Sequence, residues 1–138
     1  MLSWPEVNIK IIINVIGFLL MFEGVFMFFG IPIALYYSGD RCDPLIISGI
    51  ICILSGLALS ILTRKAKGKL IGKREGIIIV STSWIIISLF GTLPFILSGT
   101  ITNFTDAFFE TVSGFTTTGA TILTDIEAVP KGILFWRS

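Results

Sequence analysis

The sequence predicts an all-α membrane protein, and its composition and the lengths of its apolar stretches are the observations behind this fold class. Of the 138 residues, 54% are apolar and only 14% are charged, and the mean hydropathy is +0.94. Three apolar stretches are long enough to cross roughly 30 Å of hydrocarbon as helices. A shorter amphipathic stretch and a run of hydroxyl residues follow them. The expected environment is therefore the lipid bilayer, with several crossings.

The first two apolar stretches, residues 11–37 and 45–62, predict a helical hairpin. The polar connection between them, at 38–44, contains Gly and Pro, which favour a turn. A basic segment without acids follows at residues 64–74. By the positive-inside rule this segment and the N-terminus lie in the cytoplasm. Binding of DNA or lipid by the segment is the less favoured interpretation. The third stretch, residues 77–97, must then run outward.

A short amphipathic helix is predicted at residues 104–115, after a break that Pro94 introduces near the outer surface. Twelve residues rise only about 18 Å, so this helix enters the membrane from outside without crossing it. We expect Asn103 to cap its start. Asp106 and Glu110 are expected to favour the positive end of its dipole.

The loop that follows the short helix, at residues 116–121, predicts a path for ions. Irregular backbone at membrane depth is tolerated only where it is buried in protein or lines a watery cavity. Backbone carbonyls replace the hydration shell of a monovalent cation without the strong binding of a carboxylate. Three threonines supply such carbonyls, beside a glycine with free backbone angles and a small neighbour: Thr116, Thr117, Thr118, Gly119 and Ala120.

The remaining polar residues argue against catalysis. The chain contains no histidine, which is the usual general base and the commonest metal ligand, and it shows no nucleophile–base spacing. We therefore expect no enzyme and no bound cofactor. Asp125 and Glu127 follow the loop, and they either enrich cations at its outer mouth or are ordinary solvated residues.

Glu23 and the two cysteines lie in or beside the hairpin helices. Glu23, near the middle of an apolar helix, is either a proton- or ion-coupling group or a protonated or hydrogen-bonded side chain packed against another helix, and the second interpretation is preferred. Cys52 is expected to serve as a small apolar side chain. A disulfide with Cys42 is not expected.

Four segments carry a resemblance to a known family. They are GTLPF at 91–95, DAFFE at 106–110, SGFTTTGAT at 113–121 and PKGILFWR at 130–137. Together they resemble the N-terminal part of a Trk-type potassium uptake protein, the membrane subunit of the Trk/Ktr/HKT superfamily. The resemblance is specific from about residue 91 to residue 138, whereas upstream only the helix pattern agrees.

The resemblance implies a helical hairpin followed by the first helix–pore loop–helix repeat of a potassium-channel-like fold, truncated. The implied parts are the hairpin with its basic loop at 1–76 and the pore repeat at 77–138, with an outer helix at 77–97, a pore helix at 104–115, a filter loop at 116–121 and the start of an inner helix at about 131. In the family the carbonyls just before the filter glycine bind potassium. This implies potassium binding by Thr117 and Thr118, with Gly119 shaping the turn.

The resemblance also implies potassium uptake across the bacterial inner membrane. The complete protein would contain three further pore repeats, form a homodimer and bind a cytoplasmic nucleotide-binding regulatory subunit of the Trk type, with K⁺ as the transported ion. The chain is therefore expected to be a fragment. The alternative is a non-conducting membrane subunit that packs within a larger complex, since Gly17, Gly24, Gly49 and Gly56 let helices approach closely. The preference for potassium over sodium, and the choice between a channel and an ion-coupled symporter, stay open.

Overall fold

The computed structural model describes residues 7–37, 39–66 and 70–138, and every regular element within them is helical. The elements are α1 (Ile9–Tyr36), α2 (Asp43–Leu62), a 3₁₀ turn (Arg64–Ala66), α3 (Lys73–Gly91), α4 (Leu93–Leu97), α5 (Phe104–Phe115) and α6 (Lys131–Arg137). Among these residues, α1, α2 and the stretch Lys73–Leu97 are long and apolar enough to cross a membrane. The all-α membrane fold class is confirmed for the described residues. Lys67 and Lys69 of the basic segment, and residues 1–6, lie outside them.

Helices α1, α2 and α3 begin earlier than the apolar pattern indicates, and α1 begins at Ile9 instead of residue 11. Helix α2 begins at Asp43, because Pro44 fits the first turn of a helix, where its missing N–H is not needed. Helix α3 begins at Lys73 instead of residue 77, because Lys, Arg and Glu are good helix formers even where they are not buried. Apolar periodicity therefore marks the buried part of each helix and not its full length.

The α1–α2 hairpin is held by close contact at glycines. A Cβ atom on Gly24 would lie 2.7 Å from the Gly49 carbonyl oxygen, and one on Gly17 would lie 2.8 Å from that of Gly56. These distances leave no room for side chains, so the two backbones approach each other as small residues allow in membrane helices. The expected close approach at these four glycines is confirmed.

The third spanning stretch is broken between Gly91 and Leu93. Pro94 has no N–H to donate and its ring would clash with the carbonyl of Phe90, so α3 ends at Gly91 and α4 begins at Leu93. The Gly91 carbonyl instead accepts a hydrogen bond of 3.0 Å from the indole nitrogen of Trp136. The break expected at Pro94 is therefore present, and the hydrogen bond from Trp136 to the Gly91 carbonyl joins the end of α3 to α6.

Helix α6 lies antiparallel to the C-terminal half of α1. Gly132 lies against Ala34, and Phe135, further along α6, lies against Gly30, earlier in α1. The backbone N–H of Lys131 donates to Oδ2 of Asp40 in the hairpin loop at 2.5 Å, which caps the start of α6. Cys52 is fully buried with Met27 and Ile133 in the core beneath this contact, and its expected role as a small apolar side chain is confirmed.

Candidate functional site

Helix α5 ends where the hydroxyl-rich loop begins. Asn103 caps its start, because its side-chain oxygen accepts from the Thr105 N–H at 3.1 Å. At the other end, the N–H groups of Thr117 and Thr118 donate to the carbonyls of Gly114 and Ser113 at 3.1 and 3.0 Å. The loop therefore folds back over the C-terminal end of α5, where the helix dipole is negative.

The loop backbone contains two left-handed residues on either side of Thr118. Thr117 has φ 55° and Gly119 has φ 74°. Among the described residues, Thr117 is the one non-glycine with positive φ, and a β-branched residue there costs on the order of 1–3 kcal/mol. Residues 116–120 are all exposed. A strained, exposed backbone of this kind persists only where its surroundings hold it.

Glu110 supplies much of that support. Its carboxylate is fully buried (0% exposed) and accepts from Nε of Arg137 at 2.9 Å and from the backbone N–H of Ile122 at 2.7 Å. The Thr121 hydroxyl also donates to it. Burial raises the pKa of Glu110, but the hydrogen bonds from Thr121, Arg137 and Ile122 and the charge of Arg137 outweigh it, so the pKa lies below its usual value.

This position corrects the expectation that Glu110 acts on the dipole at the start of α5. Glu110 lies in the middle of the helix, on the same face as the buried residues Ala107 and Thr111. A carboxylate on the apolar face of a helix is expected to be buried and to need a hydrogen-bond partner. This pattern could have identified Glu110 from the sequence. The partner, Arg137, is 27 residues away, so the pairing itself could not be read from local spacing.

Ser113 holds the loop from a second direction. Its hydroxyl donates to the Ala120 carbonyl at 2.6 Å. Inside the loop, the Thr116 hydroxyl donates to the Val112 carbonyl at 2.7 Å and lies 2.8 Å from the Thr118 hydroxyl. The loop is thus bonded to α5 at both of its ends, and the carbonyl of Ala120 is engaged by the helix.

The two acids expected at the outer mouth differ in their surroundings. Asp125 accepts from the Ala128 N–H at 3.2 Å and so closes a turn. It also lines an open depression of about 590 Å³ together with Asp106 and Asn103. Glu127 is exposed and does not line that depression. The structure therefore places Asp125 and Asp106 around the same depression.

Comparisons with known proteins agree on one family. The family described as "TrkH: Cation transport protein" matches residues 44–138. The Trk system potassium uptake protein TrkH of Halomonas elongata is 34% identical over 131 residues, which cover 94% of this chain and 27% of that protein. The protein of the same name from Escherichia coli K12 is 36% identical over 132 residues, with the same two coverages of 94% and 27%.

A solved structure agrees as well. The crystal structure of the potassium transporter TrkH from Vibrio parahaemolyticus matches with a TM-score of 0.86 at 33% identity, over 94% of this chain and 28% of that chain. The chain thus spans about 27% of the length of the curated relatives it matches.

Proposed function

Because the chain belongs to the TrkH family of cation transport proteins, we propose that it is part of a potassium uptake transporter and contributes one pore loop to its selectivity filter. The three apolar helices and the transporter relatives make it a multi-pass membrane protein. The relatives are named as potassium uptake proteins, which are not enzymes. The chain spans about 27% of those relatives, and in this proposal the rest of the transporter would hold the three further pore repeats that the family resemblance implies.

The observation that carries this proposal is the pair of left-handed residues around Thr118. Carbonyl ligands for a dehydrated cation need a backbone that departs from regular structure, and Thr117 and Gly119 supply that departure at φ 55° and 74°. The negative end of the α5 dipole lies beneath the loop and favours a cation. In this proposal Thr117 and Thr118 provide the ion-binding carbonyls. Thr116, Gly119 and Ala120 shape the loop around them.

The orientation we propose follows from the basic segment after α2. Arg64 and Lys65 continue directly from that helix, and basic residues favour the cytoplasmic side. With this segment inside the cell, α3 runs outward and α5 enters from outside. The bacterial inner membrane, a homodimer and a nucleotide-binding regulatory subunit of the Trk type complete the proposal.

Substitution of Gly119 tests the proposed filter. In the longer protein, we expect Gly119→Ser to lower potassium uptake or to weaken the preference for potassium over sodium, because a side chain at φ 74° distorts the loop. Gly99→Ser is a matched control, because Gly99 has φ 72° and, like Gly119, has nothing within 4 Å of an added Cβ. Unchanged uptake and ion preference in Gly119→Ser would defeat the proposal.

A second candidate function is a non-conducting subunit whose helices pack within a larger complex. The close contacts of Gly24 with Gly49 and of Gly17 with Gly56 favour it, since they serve packing alone. It predicts that Gly119→Ser leaves ion flux unchanged, whereas substitutions at these glycines impair assembly. The same flux measurement therefore separates the two candidates.

A further inference from the structure

Gly91, the last residue of α3, lies where four helices meet. A Cβ atom on it would lie 2.6 Å from Cγ2 of Thr111 and 3.2 Å from Cε2 of Phe115, both in α5. The same atom would lie 3.1 Å from Oε1 of Glu23 in α1. The Gly91 carbonyl accepts from the indole nitrogen of Trp136 in α6 at 3.0 Å. Gly91 therefore joins α3 to α1, α5 and α6 at one point.

Space, and not backbone conformation, requires a glycine at this point. Gly91 ends a regular helix and is not among the described glycines with positive φ, so alanine could adopt its backbone angles. Carbon atoms pack best at about 3.5–4.0 Å, and the 2.6 Å contact with Thr111 is far shorter. A side chain at residue 91 would therefore push α5 away from α3.

The neighbours of Gly91 differ in how easily they could move aside. Glu23 is 6% exposed and packs against α3, but within the described residues neither of its carboxylate oxygens has a hydrogen-bond partner. Its end can therefore rotate away. Thr111 is 5% exposed, and its hydroxyl donates to the Ala107 carbonyl at 2.8 Å. Because this bond fixes the branched side chain, its Cγ2 atom stays directed at Gly91.

The two contacts with α5 lie in the half of that helix that carries the loop. Phe115 is the last residue of α5, directly before Thr116, and its ring packs edge-on against Trp136 at 6.0 Å. The N–H groups of loop residues 117 and 118 donate to carbonyls of residues 114 and 113 in the last turn. Since close-packed interiors transmit strain, a shift of this turn displaces the backbone carbonyls of the loop.

We propose that Gly91 is a positioning residue for the ion-selective loop. Its bare backbone sets the distance between α3 and the last turns of α5, and the hydrogen bond from Trp136 holds Gly91 from the side of α6. That distance fixes where the loop carbonyls lie, and the placement of carbonyl ligands governs the preference for potassium over sodium. This inference rests on the proposed function, because it assumes that the loop selects ions.

A compensating pair of substitutions in the longer protein tests this role. We expect Gly91→Ala to lower Tm and to reduce the ratio of potassium to sodium uptake several-fold. Thr111→Ser removes Cγ2 but keeps the hydroxyl that bonds Ala107, so adding it to Gly91→Ala should restore most of the ratio. Thr105→Ser, exposed in the first turn of the same helix, is the matched control and should restore none of it. Gly76→Ala, with nothing within 4 Å of its added Cβ, should leave the ratio unchanged.

The uptake ratio, and not Tm, separates positioning from stability alone. A lower Tm with an unchanged ratio in Gly91→Ala would overturn the proposal, as would a reduced ratio that Thr111→Ser does not restore. If Gly91→Ala does not fold, Trp136→Phe provides the second test. It keeps an aromatic ring beside Phe115 but removes the N–H donor to the Gly91 carbonyl. We expect a reduced ratio in this variant, and an unchanged ratio would count against the proposal.

Comparison with Gly119→Ser distinguishes this proposal from the proposed function. If Gly119→Ser changes the uptake ratio and Gly91→Ala does not, the loop selects ions but Gly91 does not position it. If neither variant changes uptake or ion preference, the loop is not the filter and both proposals fail.

Discussion

Arg137 donates from Nε to Oε2 of Glu110 at 2.9 Å, and this contact joins the last turn of α6 to the middle of α5. Oε1 of the same carboxylate accepts from Thr121, the last residue of the loop, and from Ile122 directly after it. One buried side chain therefore holds two helices and the exit of the loop in a fixed arrangement. The position of the loop depends on α6 through this carboxylate.

Removal of the charge at Glu110 should destabilise the protein and disturb the position of the loop. We expect Glu110→Gln to lower the free energy of unfolding by about 1.5–3 kcal/mol, as for hydrogen bonds to charged groups. Potassium uptake should fall with it. Thermal unfolding in detergent and an uptake assay measure the two effects. Asp106→Asn is the matched control on the same helix, and an equal loss of stability in both variants would contradict a specific role for Glu110.

The same carboxylate predicts a pH dependence. Because the pKa of Glu110 is lowered from its ordinary value of 4.5, the ionised form is the one that folding favours. Its contribution is complete above pH 4.5 and is lost as the pH falls through the lower folded pKa. The difference in Tm between the unsubstituted protein and Glu110→Gln should thus be constant near neutral pH and shrink in acid. A Tm difference that grows in acid would instead indicate that folding raises the pKa of Glu110.

Thr117→Gly separates backbone strain from ion selection. Glycine adopts φ 55° without strain, so we expect the variant to be as stable as the parent or more stable by about 1 kcal/mol. The preference for potassium over sodium should weaken, because the loop loses a β-branched restraint. Thr118→Gly, at a residue without positive φ, should lose stability. Equal changes in Tm for the two variants would refute the strain argument.

The glycine contacts of the hairpin predict an overpacking effect. In Gly24→Ala the new Cβ would lie 2.7 Å from the Gly49 carbonyl oxygen, and such forced contacts typically cost about 1–3 kcal/mol. Gly76→Ala is the control within a helix, because nothing lies within 4 Å of its added Cβ. We expect it to stabilise α3 by about 0.5–1 kcal/mol. Thermal unfolding of both variants should show shifts of opposite sign.

Local patterns in the sequence predicted most of the helices. The range 104–115 coincides with α5 (Phe104–Phe115), because its apolar spacing and its cap at Asn103 are both properties of neighbouring residues. The apolar pattern predicts the start of α3 at residue 77, four residues after its actual start at Lys73, since the first turn is polar and carries no periodic signal. The division into a hairpin and a pore repeat, and the ion-binding roles of Thr117 and Thr118, stay predictions.

The sequence by itself determined the membrane class, the helix type and the place of the hydroxyl-rich loop, because hydropathy, apolar spacing and turn chemistry act between near neighbours. Tertiary structure alone decided what holds that loop. Glu110 meets Arg137 across 27 residues, and Asp40 meets Lys131 across 91. Such pairs depend on how α1, α5 and α6 pack. That packing depends on the distance between helices that the glycines permit, and local residue spacing does not contain this distance.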